Sequence, residues 1–108
     1  MERKPLSFVI NVTVSGGVGS NTTPINSAIA NAGGYIKQVI VTAPFDTATF
    51  DFRIANANGR NIFKRTEQVG EIIEECETPV SAQVLTLYLS KCSHDGVYSC
   101  ELLFAEVY

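Results

Sequence analysis

The chain has 108 residues, of which 45% are hydrophobic and 18% are charged, and its formal net charge is −3. This length predicts a single domain over residues 1–108. The basic residues are too few and too scattered to form a phosphate-binding stripe, and no apolar run is as long as a membrane span, so neither a nucleic acid nor a membrane is a predicted partner.

The first predicted strand is Leu6–Val14, in which apolar residues occupy every second position. Residues 15–34 follow, rich in Gly, Ser, Thr, Asn and Ala, and predict a long loop or arm. This segment is either a flexible surface loop or an arm that becomes ordered on a neighbouring chain. Because Ile25 and Ile29 are apolar and have no place in a strand, we predict that they bind a partner together with Pro24.

Two strands are predicted in the middle of the chain. The near-continuous apolar run in residues 35–42 favours burial on both faces and hence a central position in a sheet. Residues 47–56 alternate cleanly, and Asn58-Gly59 predicts a hairpin turn after them. Residues 67–77 fit a two-turn helix or an extended element, and the extended element is favoured because Gly70 lies near the start and Pro79 just beyond the end.

The last two predicted strands, 80–91 and 97–108, are expected to form a hairpin at Asp95-Gly96. In that register Leu89 faces Leu102 and Leu87 faces Phe104. Two cysteines of the hairpin, at 92 and 100, then point to opposite faces and cannot form a disulfide. All three cysteines of the chain, including the one at position 76, are therefore predicted to be free thiols.

The six to seven strands predict an all-β fold, an antiparallel β-sandwich of jelly-roll or immunoglobulin-like character. The predicted core comprises Phe8, Ile10, Val12, Ile40, Phe50, Phe52, Ile54, Leu85, Leu87, Leu89, Leu102 and Phe104.

Nothing in the sequence marks a catalytic or metal site. The only histidine, His94, neighbours Asp95 in a predicted solvated turn, and no activated nucleophile accompanies it. The glutamates of residues 71–77 lack the spacing of a calcium loop and predict a solvated acidic edge. Without tryptophan, the four tyrosines are interpreted as residues of strand ends and edges rather than a sugar-binding platform. We therefore predict that the protein is not an enzyme and uses no cofactor.

The order of strands and turns over residues 35–108 resembles that of small β-sandwich proteins encoded among the structural genes of tailed bacteriophages. The matching landmarks are the strand 35–41 with Ala43-Pro44, the strand 49–54, the turn Asn58-Gly59 with residues 62–65, Gly70, Pro79, and the closing run 95–98.

This resemblance implies a non-enzymatic virion protein, made in the cytoplasm of a bacterial host. The expected role is capsid decoration or cement, in which the chain binds neighbouring capsid proteins and is a homo-oligomer or present in many copies. Two alternatives remain open, a component of the neck, tail or fibres and a receptor- or glycan-binding β-sandwich module. The low charged fraction is typical of a surface that is partly buried against partners.

Overall fold

A computed structural model of the protein describes residues 6–24, 35–56, 58–79 and 84–105. The described residues form eight strands, which are β1 (Leu6–Val14), β2 (Gly19–Pro24), β3 (Tyr35–Thr42), β4 (Thr49–Ala55), β5 (Asn61–Val69), β6 (Glu71–Pro79), β7 (Val84–Ser90) and β8 (Gly96–Ala105). They contain no helix that is long and apolar enough to cross a membrane.

The strands form two four-stranded antiparallel sheets, one in the order β1-β8-β3-β6 and the other in the order β2-β7-β4-β5. The pairs are nested, because β1 pairs with β8, β2 with β7, β3 with β6 and β4 with β5. The chain therefore resembles one long hairpin whose successive pairs lie alternately in the two sheets. This is the arrangement of an eight-stranded jelly roll, so the predicted all-β antiparallel sandwich is confirmed and its topology is the jelly roll.

The strand that was not predicted is β2, which lies within residues 15–34. Residues 15–18 form a turn closed by a bridge between Ser15 and Val18, and β2 then pairs with β7 from Gly19 to Pro24. The first half of the predicted loop or arm is therefore part of a sheet. β2 lies at a sheet edge, and its six residues carry no alternating apolar pattern from which a strand could be predicted. The second half, residues 25–34, lies outside the described residues.

The predicted hairpin of the last two strands is wrong, because β7 and β8 belong to different sheets. β7 pairs with β2 and β4, whereas β8 pairs with β1 and β3. The connection is held instead by Ser93, whose N–H donates to the Thr49 carbonyl (2.9 Å) and whose hydroxyl accepts from the Thr49 N–H (2.8 Å). Leu87 and Phe104 therefore share a core without pairing side by side.

The Asn58-Gly59 hairpin and the extended conformation of residues 67–77 are confirmed. β4 and β5 pair around the turn, where Gly59 has a φ of +79°. Residues 67–77 span the end of β5 and most of β6, and Gly70 forms the corner at which the chain changes sheets.

β3 lies between β8 and β6, so its predicted central position is confirmed. The predicted burial of both its faces is wrong, because Thr42 is exposed and Ile40, which was assigned to the core, is only half-buried. A bulge between Ile36 and Gln38 shifts the register on both sides. Beyond the bulge, Val39 and Val41 are buried, and Ile40 points to the outer face and is half-buried.

Among the described residues, one core cluster lies between the sheets. Ten predicted core residues are buried, namely Ile10, Val12, Phe50, Phe52, Ile54, Leu85, Leu87, Leu89, Leu102 and Phe104. The side chain of Phe8 lies outside the described part of the chain. Tyr98 is a further correction, because it is fully buried rather than at an edge, with its ring in edge-to-face contact with Phe50 and its hydroxyl donating to the His94 carbonyl at 2.8 Å.

Candidate functional site

The outer face of the β1-β8-β3-β6 sheet carries a row of apolar side chains. Strand register places Val9 beside Glu101, Glu101 beside Ile40, and Ile40 beside Ile73, so a row across the four strands contains three apolar side chains and one glutamate. Leu103 lies one position further along the same face of β8 and is half-buried. We call Val9, Ile40, Ile73 and Leu103 the apolar patch.

The apolar patch is solvent-accessible, with Val9 59% and Ile73 58% exposed. Antiparallel sheets that face water on one side normally place polar residues there. A cluster of apolar side chains on such a face is typical of a protein interface. Glu101, half-buried in the middle of the patch, adds one negative charge that a partner would have to satisfy.

The sequence signal of this patch is the presence of consecutive apolar residues. The sequence-based predictions did not include the patch. Such pairs and triplets occur in β1, β3, β6 and β8, as in Val39-Ile40-Val41 and Ile72-Ile73. Because neighbouring residues of a strand point to opposite faces, such a run must place an apolar side chain outside. In β4 and β7 of the other sheet, apolar and polar residues alternate over most of the strand.

The outer face of the β2-β7-β4-β5 sheet is polar. The Arg53 guanidinium lies 3.9 Å from the centre of the Tyr88 ring, and its Nη1 donates to the Asn61 side chain at 2.9 Å. Beside Arg53 lies a cavity of about 300 Å³. Its lining includes Asp51, Arg53, Lys64, Thr66, Ser90 and Lys91.

Ser93, His94 and Asp95 have structural contacts at one end of the sandwich. The Ser93 hydroxyl is 2.9 Å from His94 Nδ1. The Asp95 carboxylate accepts hydrogen bonds from the N–H groups of Gly16 and Gly17, each at 3.0 Å, and so fixes the β1–β2 turn. These residues hold together the connections that lead into β2 and β8.

The two N–H donors, at Gly16 and Gly17, lower the pKa of Asp95 below its ordinary value. The carboxylate therefore contributes stability above the ordinary pKa of about 4, and this contribution is lost as the pH falls through the lowered value. We expect Asp95→Asn to lower the thermal midpoint at pH 7. The difference between the two proteins should narrow below about pH 4, as measured by melting curves across the acid range. A difference that does not change with pH would contradict this role.

The thiol of Cys100 is buried in the core, and burial raises its pKa to about 12. A thiol with so high a pKa is unreactive at neutral pH. Cys76, Cys92 and Cys100 are all free, as predicted. The Cys100 side chain therefore serves as a small apolar core residue.

The partner-binding residues predicted from the sequence fall in different places. Pro24 ends β2, where its backbone lies opposite Val84. Ile25 and Ile29 lie outside the described residues. Their contact with a partner stays a prediction.

No family model and no curated protein matches the chain. Among solved structures, the chain is similar to one of the Gt strain of infectious bursal disease virus, with a TM-score of 0.45, 7% identity, and coverage of 97% of this chain and 33% of that chain. A mutant VP2 protein of the same virus, in derived T=1 particles, gives a TM-score of 0.44, 9% identity, and coverage of 96% and 32%. The chain thus spans about a third of the length of these viral chains.

The chain is also similar to the carbohydrate-binding module CBM36 in complex with calcium and xylotriose. Here the TM-score is 0.38 and the identity 11%, with coverage of 94% of this chain and 87% of that chain. The jelly-roll assignment itself rests on the strand order and register described above.

Proposed function

We propose that the protein is a non-enzymatic structural subunit of a virus particle that binds neighbouring shell chains through the apolar patch. In finer terms, we propose a decoration or cement protein of a bacteriophage capsid, the role implied by the resemblance of residues 35–108. The observation that carries the proposal is the apolar patch on the outer face of one sheet, of which Val9 and Ile73 are more than half exposed. The jelly roll adds an analogy of fold, since viral capsid domains use it often.

The chemistry of the patch specifies its partner. The apolar patch (Val9, Ile40, Ile73 and Leu103) requires apolar side chains on the partner. Glu101 requires a cation or an N–H donor at the centre of the contact. The partner is therefore a protein surface with apolar side chains around a lysine, an arginine or free backbone N–H groups. A second copy of this patch would place Glu101 near Glu101, which disfavours a symmetric dimer through it.

The free energy available from burying the apolar patch favours binding to a shell of many identical sites over binding to one isolated partner. Full burial of an apolar side chain contributes about 1.5–3 kcal/mol, and these side chains are already partly covered. Their sum is similar to the cost of association, about 4–15 kcal/mol. One patch alone therefore binds weakly. A shell that offers many identical sites, or additional contacts from another segment such as residues 25–34, raises the occupancy.

The test replaces one exposed residue of the patch. Ile73→Asp places an unpaired charge in the proposed interface, so we expect more than a tenfold loss of incorporation into particles, measured by quantitative mass spectrometry. The melting temperature of the free protein should change little, because Ile73 is 58% exposed.

Val18→Asp is the matched control. Val18 is 57% exposed and lies in the β1–β2 turn, away from the patch, so the same change of chemistry should leave incorporation intact. Full incorporation of Ile73→Asp would contradict the proposed interface. Absence of the wild-type chain from particles would favour the alternative class, a receptor- or glycan-binding module.

A further inference from the structure

The cavity on the outer face of the β2-β7-β4-β5 sheet concentrates positive charge in an acidic protein. Half of the eight lysines and arginines of a chain with net charge −3 line it. One of them, Arg65, forms an ion pair with Glu74 of the other sheet. The other three are Arg53, Lys64 and Lys91, and in the described part of the chain none of them has a carboxylate oxygen within 4.0 Å. The cavity is therefore suited to an anion.

Arg53 is held in place before any ligand arrives. Its guanidinium lies over the ring of Tyr88, and Nη1 donates to a neutral side chain, Asn61. Among the described residues, no acceptor is found for its other N–H groups. An arginine with a fixed position and free donors is suited to a carboxylate or sulfate, which can accept two parallel hydrogen bonds.

The cavity also offers groups that recognise hydroxyls. Asp51 uses Oδ1 to accept the Glu67 N–H at 2.9 Å, and Oδ2 has no partner among the described residues. Thr66 and Ser90, whose side chains carry hydroxyls, belong to the same lining. A simple inorganic anion would be repelled by the Asp51 carboxylate and would offer it no hydrogen-bond donor. A ligand with both an anionic group and hydroxyls can bind the basic side chains and also donate to Asp51.

The backbone at the cavity is unusual as well. Lys91 lines the cavity with a φ of +49°, a conformation that glycine or asparagine adopts more readily than lysine. Such backbone occurs preferentially at functional sites. The volume of about 300 Å³ lies at the lower end of ligand pockets, which is the size for one small ligand unit rather than an extended one.

We propose that this cavity binds an acidic sugar residue, one that carries a carboxylate or a sulfate ester. The anionic group binds Arg53, Lys64 and Lys91, and the sugar hydroxyls donate to Asp51. The site lies on the sheet opposite the apolar patch, so a subunit docked through that patch would present the cavity to the outside.

The experiment is a titration of the isotope-labelled protein, followed by the shifts of its backbone amides in NMR spectra. The probes are a trisaccharide of galacturonic acid, the corresponding neutral trisaccharide of galactose, and inorganic sulfate. We expect the acidic trisaccharide to shift amides around Arg53, Lys64 and Lys91 and to bind more weakly as salt rises. The neutral trisaccharide should bind at least roughly tenfold more weakly, since it lacks the charge-assisted hydrogen bonds.

Variants locate the site. Arg53→Gln and Lys91→Gln should each weaken binding of the acidic trisaccharide roughly tenfold. Lys37→Gln, on the opposite sheet, makes the same change of charge at an exposed residue and should leave binding unchanged. Lys91 is exposed, so its replacement keeps the test valid even where Arg53→Gln disturbs the fold.

Several results would overturn the proposal. These are no binding of the acidic trisaccharide, equal binding of the neutral one, equal binding of sulfate alone, or an equal loss in Lys37→Gln. The inference goes beyond the proposed structural role and does not rest on it. Ile73→Asp, which tests that role, should leave sugar binding unchanged, so either proposal can fail alone.

Discussion

Phe52→Ala is expected to lower the free energy of unfolding by about 3–5 kcal/mol, a large share of the about 5–15 kcal/mol typical of a small domain. Phe52 is 1% exposed and packs edge-to-face on Phe63, with ring centres 6.1 Å apart. Truncation removes a large apolar surface and leaves a cavity in the core between the two sheets. Because β4 is paired with β5 on one side and β7 on the other, its backbone cannot move inward to fill that cavity.

Chemical denaturation monitored by circular dichroism measures this loss. Leu87→Ala, at a fully buried position of β7, should give a loss in the same range. Val97→Ala is the control, because Val97 is 52% exposed, and it should change stability by no more than about 0.5 kcal/mol. A Phe52→Ala protein that unfolds at the wild-type midpoint would refute the core described here.

Gly70→Ala should cost about 2–4 kcal/mol, because two penalties add at this corner. Gly70 has a φ of +73°, where a side chain is strained by about 1–2 kcal/mol. A Cβ there would also lie 2.6 Å from the Asp46 carbonyl oxygen. That contact cannot relax easily, since the Gly70 N–H donates to the Ala48 carbonyl at 2.8 Å and its carbonyl accepts from the Ala43 N–H at 2.9 Å.

Gly59→Ala separates the two penalties. Gly59 has a similar φ of +79°, but a Cβ added there would meet no atom within 4 Å, so only the backbone strain applies. We expect it to cost about 1 kcal/mol in the same denaturation experiment. Equal losses for the two variants would show that the close approach to Asp46 contributes nothing.

Local patterns predicted every strand except β2, and most of the core. Alternation identified Phe50, Phe52 and Ile54 on one face of β4, and the structure buries all three. The Asn58-Gly59 turn was also predictable, because the two strands that it joins are adjacent both in sequence and in the sheet. These features depend on neighbours within a few residues, which is the range over which a strand pattern acts.

Pairing between distant strands was not predictable from the same patterns. Leu87 and Phe104 point into the core whether β7 and β8 form a hairpin or cross between sheets, so alternation alone does not distinguish the two. The choice is made by distant contacts, such as those of Ser93 with Thr49 and of Asp95 with Gly16. A bulge is equally invisible in the sequence, which is why Ile40 was assigned to the core.

The two candidate sites also differ in whether local sequence patterns could have predicted them. The apolar patch could have been predicted from consecutive apolar residues such as Ile72-Ile73, once these were interpreted as a strand with two unlike faces. The basic cavity was predictable only in part, because Arg53 and Lys64 pair across the β4–β5 hairpin, whereas Lys91 joins them only through the pairing of β7 with β4.

The most direct test of the central claim is quantitative mass spectrometry of virus particles purified from the natural source of the sequence. A structural subunit docked through the apolar patch is expected in many copies per particle and in a fixed ratio to the shell protein. Absence of the chain from purified particles that contain every other shell component would contradict the proposed function.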